Sequence, residues 1–187
     1  MWCEGCGWRC IFWKVRHAAL KEVNTMRRKD REITDRQEML AVIKRCDVCR
    51  LAWNDDGYPY ILPLNFGLDV TADKVEFYFH GADEGYKYQL MKRDSRVSFE
   101  MDCSHRLVTD EARGHCTMEY ESIIGRGRIE MVPDEEKRRA LDIIMAQYHK
   151  ETFAYDTAAI PRTTVYKLVV ESMTGKRRMT GQSHTSS

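Results

Sequence analysis

From Tyr58 to Phe66 the chain alternates, with Tyr58, Tyr60, Leu62, Leu64 and Phe66 on one face and Pro59, Ile61, Pro63 and Asn65 on the other. A period of two marks a strand. Proline has no N–H to give to a ladder, so Pro59 and Pro63 predict an edge strand, or one whose N–H side turns toward a ligand. The alternation returns from Lys74 to His80, with Val75, Phe77 and Phe79 facing one way and Glu76, Tyr78 and His80 the other. Gly81-Ala82-Asp83-Glu84-Gly85 then lets the backbone bend, and Tyr86 to Lys92 suits a short helix whose amino end faces that bend. Free N–H groups, a helix dipole and a cation, Lys87, at such a point suit an anionic group such as a phosphate.

The flanking sequence reads as support for this stretch. Thr34 followed by Gln37 has the capping-box pattern and opens a helix carrying Met39, Leu40, Ile43 and Val42. Val48 to Trp53 is a strand, Asn54 to Gly57 a hairpin turn, and Arg96 to Asp102 a further strand. Residues 103–116 have no clear period and are expected to form a loop holding His105 and His115. Glu119 to Met131 is a long strand in which Gly125 and Gly127 predict a bulge or a close backbone approach. Asp134 is expected to cap a helix with the stripe Ala140, Leu141, Ile144, Met145 and Tyr148, and Thr164 to Ser172 is the last strand. The polar remainder from Thr174 is expected to fray, with Lys176, Arg177 and Arg178 as a basic cluster near the last strand. About six strands and three helices with short connections favour antiparallel pairing, and a small closed or partly closed barrel is the economical arrangement. A mixed sheet with helices on one face is the competitor.

Composition narrows the classes. A chain of 187 residues, 43% hydrophobic, suits one domain with a real core. A net charge of +1 is not the balance of a nucleic-acid coat, and no apolar run spans a bilayer, so neither nucleic acid nor membrane is an expected partner. No G-x-G-x-x-G follows a strand and no P-loop or H-E-x-x-H occurs, which excludes the commonest dinucleotide, NTPase and zincin signatures. Seven cysteines, an odd count, suit reduced thiols in a cytoplasmic compartment better than a disulfide scaffold. Residues 1–25 differ in kind. Cys3, Cys6, Cys10 and His17 offer close-spaced ligands without the second half of a zinc-ribbon pattern, Phe12, Val15, Ala19 and Val23 form an apolar stripe that a membrane surface or partner could meet, and Met26 would make a natural beginning. The expected organisation is an extension at 1–25, a domain at 26–178 and a flexible tail at 179–187. Cys46 and Cys49 form a C-x-x-C where a strand, not a helix, follows, so they read as structural rather than redox-active. Cys103, His105, His115 and Cys116 read either as a metal cluster or as a loop flanking a ligand groove; no metal site is assigned.

Arg50-Leu51-Ala52, the run Gly57 to Gly67, Tyr78-Phe79-His80-Gly81-Ala82, Glu84-Gly85-Tyr86-Lys87, Ser104 to Val108, Thr117 to Gly125 and Met173 to Arg177, in this order, resemble the nitroimidazole-resistance branch of the pyridoxamine-phosphate-oxidase-like flavoproteins. The resemblance runs from about Met26 to Arg178. It implies a mainly β fold with flanking helices, a six-stranded antiparallel split β-barrel, that binds FMN in a groove shared by the two subunits of a homodimer. By motif position Pro63, Leu64 and Asn65 would lie along the flavin ring, His80 and Lys87 would face the cofactor with Lys87 neutralising its phosphate, and Ser122, on the face of Arg126 and Arg128, would contact phosphate or ring. The implied activity is an oxidoreductase that passes electrons from a reduced nicotinamide to a small acceptor such as a nitroimidazole, with His80 as the proton-transfer residue. The oxidases proper carry an arginine-lysine pair where Gly85-Tyr86-Lys87 supplies one cation, which weighs against pyridoxamine phosphate as substrate. Three readings stay open beside these: His80 as a hydrogen-bonding barrel residue, His80 as a haem ligand in a non-catalytic flavin- or haem-binding protein, and Lys87 as a solvated helix lysine.

Overall fold

Helix α1 (Arg36–Arg45) starts where the Asp35 side chain accepts from the Gln37 amide at 2.8 Å, so Asp35 rather than Thr34 is its cap. It buries Leu40, Val42 and Ile43 against the sheet. The computed structural model describes residues 26–149 and 157–180; the extension 1–25, with its cysteines and apolar stripe, and residues 181–187 of the tail lie outside the described residues.

The strands are β1 (Glu32–Ile33), β2 (Cys49–Asp55), β3 (Tyr58–Leu64), β4 (Gly67–Val70), β5 (Val75–Gly81), β6 (Arg96–Asp110), β7 (His115–Met131) and β8 (Thr164–Arg178), with α2 (Tyr86–Arg93) and α3 (Lys137–Tyr148) packed on them. All pairings are antiparallel, in the order β3-β2-β6-β7-β8-β5-β4 with β1 beside β8. The sheet curls until Phe77 of β5 meets Phe99 of β6 edge-on at 5.2 Å, yet no ladder joins β3 to β4. This is the expected mainly β split barrel with flanking helices, enlarged from six strands by the short β1 and β4. None of the described helices is long and apolar enough to cross a membrane.

Several expectations change. Residues 103–116 are not a loop: β6 and β7 run on as one long hairpin, turned at 111–114. Between Cys103 and Arg106 the β6 side carries one extra residue, and Ser104 takes the left-handed conformation (φ 59). That bulge reverses the in-out parity of everything beyond it, which is why the sequence shows no period there. Gly125 and Gly127 behave as expected: a Cβ at Gly125 would strike Phe99, one at Gly127 would strike the Val169 carbonyl, and the register shifts at Arg126/Gly127. Tyr78 is buried, because α3 covers that side of β5 with Ala140 and Ile144. Asp134 opens a short 3-10 turn, and Glu136, without a side-chain bond, precedes α3. The polar end of β8 does not fray before Arg178, because its cations have buried work.

That work centres on Glu121, 3% exposed, whose carboxylate accepts from Arg45 of α1 at 2.7 Å, Arg177 of β8 at 2.6 Å and Ser104 of the bulge at 2.9 Å. Burial alone would raise its pKa, but the hydrogen bonds from Arg45, Arg177 and Ser104 reverse that and hold it below the usual carboxylate range. Its stabilisation is therefore present above about pH 4.3 and fades as pH falls through the lowered native value. Glu121→Gln keeps the shape and removes the charge from between two half-exposed guanidinium groups. The expected loss is about 2 kcal/mol at neutral pH, with a flatter acid limb of stability against pH, both read from urea unfolding.

Candidate functional site

β3 pairs with β2 alone, so its other edge is open. Pro59 and Pro63 sit on that strand as the sequence predicts, exposed with Ile61, while Tyr60, Leu62 and Leu64 are half-buried on the inner face. Its far end is pinned. The Asn65 side chain donates to the Asp47 carbonyl at 3.2 Å, Tyr148 of α3 donates to the same carbonyl at 2.8 Å, and the Phe66 amide donates to the Tyr148 hydroxyl at 2.9 Å.

At the other end lies the bend between β5 and α2. His80 is the last residue but one of β5, opposite Val165 of β8, and is exposed, on the face it shares with Glu76. Gly85 takes φ 129, which a side chain would resist, and α2 begins without a side-chain cap. The Tyr88 hydroxyl donates to the Ala82 carbonyl at 2.6 Å and ties the bend to the helix. Lys87 folds back so that its ammonium lies 5.0 Å from the Tyr88 ring centre and 5.6 Å from that of Tyr166. A Cβ on Gly81 would come within 2.7 Å of that Nζ, so glycine is what lets the cation sit there. No carboxylate pairs with Lys87 among the described residues. Burial lowers the Lys87 pKa, and burial followed by the Lys87 charge lowers that of His80. Below the cation, Tyr166 stacks on Phe79 at 5.4 Å; its buried hydroxyl, like Nε1 of buried Trp53, has no hydrogen-bond partner among the described residues.

α2 joins this corner to the open strand. Tyr86 meets Tyr60 edge-on at 5.4 Å and its hydroxyl donates to Asp55 at 2.7 Å, while Arg93 donates to the Asn54 carbonyl at 2.5 Å. From Tyr60 to Asn65 the open edge extends roughly 16 Å. Pro63, Leu64 and Asn65 thus lie at the far end of the open strand and His80 and Lys87 at the β5–α2 bend, which α2 ties to that strand through Tyr86 and Tyr60.

Ser122 is elsewhere. It lies opposite Asp102 of β6 and Lys176 of β8, and Lys176 is eleven residues, roughly 36 Å of strand, from Val165 beside His80. It approaches β3 only across the outer face, through a charge chain the sequence reading missed. Arg50, opposite Pro63, donates to Glu100 at 3.0 Å and Asp102 at 2.6 Å, and Asp102 in turn holds His105 Nε2 at 2.8 Å. Alternation in β2 put Arg50 on the polar face, but the bulge hid the Asp102-His105 pairing. Cys116 and His115 lie far up the hairpin, opposite Thr109 and Asp110. Among the described residues no group of three or more His, Cys, Asp or Glu side chains is placed to hold a metal ion. A cavity of about 460 Å³ between Arg28, Glu38, Arg177 and Thr180 is lined by charges already paired with one another and takes in no residue of β3 or of the β5–α2 bend.

The profile of the family described as pyridoxamine 5'-phosphate oxidase matches residues 35–177. A solved structure assigned provisionally as a 5-nitroimidazole antibiotic resistance protein, from Bacteroides thetaiotaomicron, is 36% identical over 78% of this chain and 86% of its own, with a TM-score of 0.67. The fold also recurs in an FAD- and haem-binding protein of Mycobacterium smegmatis (18% identity, 79% of this chain and 73% of that one, TM-score 0.66). A flavocytochrome of Azotobacter vinelandii shares it too (16%, 83% and 72%, 0.67). No curated protein matches the chain.

Lys87→Met removes the charge that helps to hold His80 low, so the His80 midpoint should rise toward the ordinary value near 6.5, followed by NMR of the ring protons. Gly81→Ala, which drives the ammonium off its seat, should move the midpoint the same way; a midpoint unmoved in both variants would sever the two groups.

Proposed function

The chain belongs to the pyridoxamine 5'-phosphate oxidase family, and from that premise we propose that it is an FMN-dependent oxidoreductase whose cofactor lies along the open edge of β3 with its phosphate at the β5–α2 corner. The observation that carries the reading is Lys87: a half-buried ammonium with no carboxylate partner among the described residues, beside an uncapped helix amino end. A cation there is unfavourable to the helix dipole unless an anion offsets both. The residues fit the group in a second way, since Tyr166, whose ring lies under Lys87, has a buried hydroxyl without a partner among the described residues.

Bound there, FMN accepts and passes on electron pairs, with a reduced nicotinamide as donor and a small molecule, a nitroimidazole or another nitroaromatic, as acceptor. The chain's own part is placement and protons. Backbone groups of Pro63, Leu64 and Asn65 meet the polar edge of the ring, and the pinning of Asn65 and Phe66 through Tyr148 keeps that ribbon from shifting. Lys87 and the first amides of α2 take the phosphate. His80, whose pKa burial and the Lys87 charge both lower, carries a proton at an imidazole nitrogen; an anion on Lys87 relieves part of that push and raises the protonated share of the ring, ready to give its proton to a reduced acceptor. Ser122, three strands from β3 on the outer face, is proposed to reach the cofactor from a second copy, so the proposed working unit is a homodimer. The proposed setting is cytoplasmic.

Freshly purified full-length protein should show two broad flavin bands and oxidise a reduced nicotinamide in the presence of a nitroaromatic. An intense haem band instead would replace this reading with a haem-binding one through His80, and flavin bands without turnover would leave a carrier. Lys87→Met should weaken FMN about tenfold or more while barely changing riboflavin, and equal weakening would remove the phosphate from this corner. His80→Asn should keep the flavin and slow turnover.

A further inference from the structure

Cys46 and Cys103, 57 positions apart, converge on one backbone oxygen: the Cys46 thiol donates to the Val42 carbonyl at 3.4 Å and the Cys103 thiol approaches the same carbonyl at 3.9 Å. The first ends α1 and is buried; the second lies on β6, half-buried, directly before the bulge. Ser104 donates to Cys103 Sγ at 3.6 Å and to Glu121, and the Arg45 guanidinium that grips Glu121 stands next to Cys103. Two thiols on one acceptor oxygen, 3.4 and 3.9 Å from it, stand side by side across the α1–β6 contact, and of the two Cys103 is the one that reaches solvent, where a small oxidant would meet it first. Cys49, the sequence neighbour in the C-x-x-C, is fully buried in the core on β2.

We infer that Cys46 and Cys103 form a reversible disulfide, and that this long-range pair, not the C-x-x-C, is where the described fold can cross-link its own thiols. With a low-molecular-weight disulfide as oxidant the steps balance. Cys103 loses its proton and its sulfur attacks the small disulfide, whose S–S bond breaks; one thiolate leaves and takes up that proton. Cys46 then loses its proton and attacks Cys103 Sγ, expelling the second small thiolate, which is protonated in turn. The protein dithiol is oxidised and the small disulfide is reduced to two thiols, with no net proton change. Burial, and then the neighbouring Cys103, push the Cys46 thiol well above its ordinary range, so the second step is the slow one and quickens with rising pH. The bond clamps the end of α1 to the strand that bears the bulge, and so to Asp102 and His105 on the outer face.

The test uses the full chain incubated with oxidised glutathione at neutral and at mildly alkaline pH, alkylation of the remaining thiols, digestion without reduction, and mass spectrometry with fragmentation that separates Cys46 from Cys49. The expected product is a Cys46–Cys103 cross-link, preceded by glutathione on Cys103 and formed faster at the higher pH. Cys46→Ser should stop at the glutathione adduct on Cys103, Cys103→Ser should leave Cys46 unmodified, and Cys49→Ala should cross-link as the native chain does. A Cys46–Cys49 bond, or a Cys103 adduct in the native chain that persists at both pH values, would overturn the assignment.

Discussion

A strand that cannot be paired on both sides governs this fold. Two prolines in β3 withhold N–H groups from any further ladder, so the curling sheet stops there instead of closing, and a line of main-chain polar groups is left at the surface. Everything in the site follows from that stop. α2 packs on the near end of the open edge through Tyr60 and Tyr86, α3 pins the far end through Tyr148, and the turn between β5 and α2 is thereby held at one end of the groove. Gly67 lets α3 come that close, since any Cβ there would press on the backbone of Ile144 at 2.6 Å.

Electrostatics then distinguish the two ends. At the far end, hydrogen bonds are spent: Asn65, Phe66, Tyr148 and the Asp47 carbonyl satisfy one another. At the corner they are not, because Lys87 has aromatic faces for company where a carboxylate would be ordinary. Aromatic rings compensate a desolvated cation only in part, by about 0.5–2 kcal/mol, and burial lowers the Lys87 pKa. The same charge depresses His80, so the proton held by the imidazole answers to whatever neutralises the lysine. Binding and proton transfer become a single coupled property of the corner.

The edge strand, the β5–α2 bend, the glycine bulge and the core stripes of α1 and α3 were legible because each is local: a proline, a glycine or a period of two or 3.6 acts on its own neighbours. What escaped the sequence was non-local. One extra residue at Cys103–Arg106 erased the alternation of a continuous hairpin, and with it the Asp102–His105 pair. The end of β8 looked like a tail because its polarity is explained only by Glu119 and Glu121, buried some sixty positions earlier and held by Thr180 and Arg177. Lys87 was legible as a cation at a helix start, but not the rings it rests on.

Ser122 marks where motif order and geometry part. In sequence it belongs with His80 and Lys87 through one family pattern, yet in the folded chain it shares a row with Asp102 and Lys176 on the outer face. That face also presents Ile61 of β3 and Ile124 of β7, both more than half exposed, on either side of the Arg50–Glu100–Asp102 chain. Apolar side chains set around satisfied charges are the composition of a surface that meets another protein surface. On the proposed reading the two facts would have one cause: a second copy laid on this face would bring its own Ser122 toward the first copy's β3, and the residue would meet the cofactor across the interface rather than within its own chain.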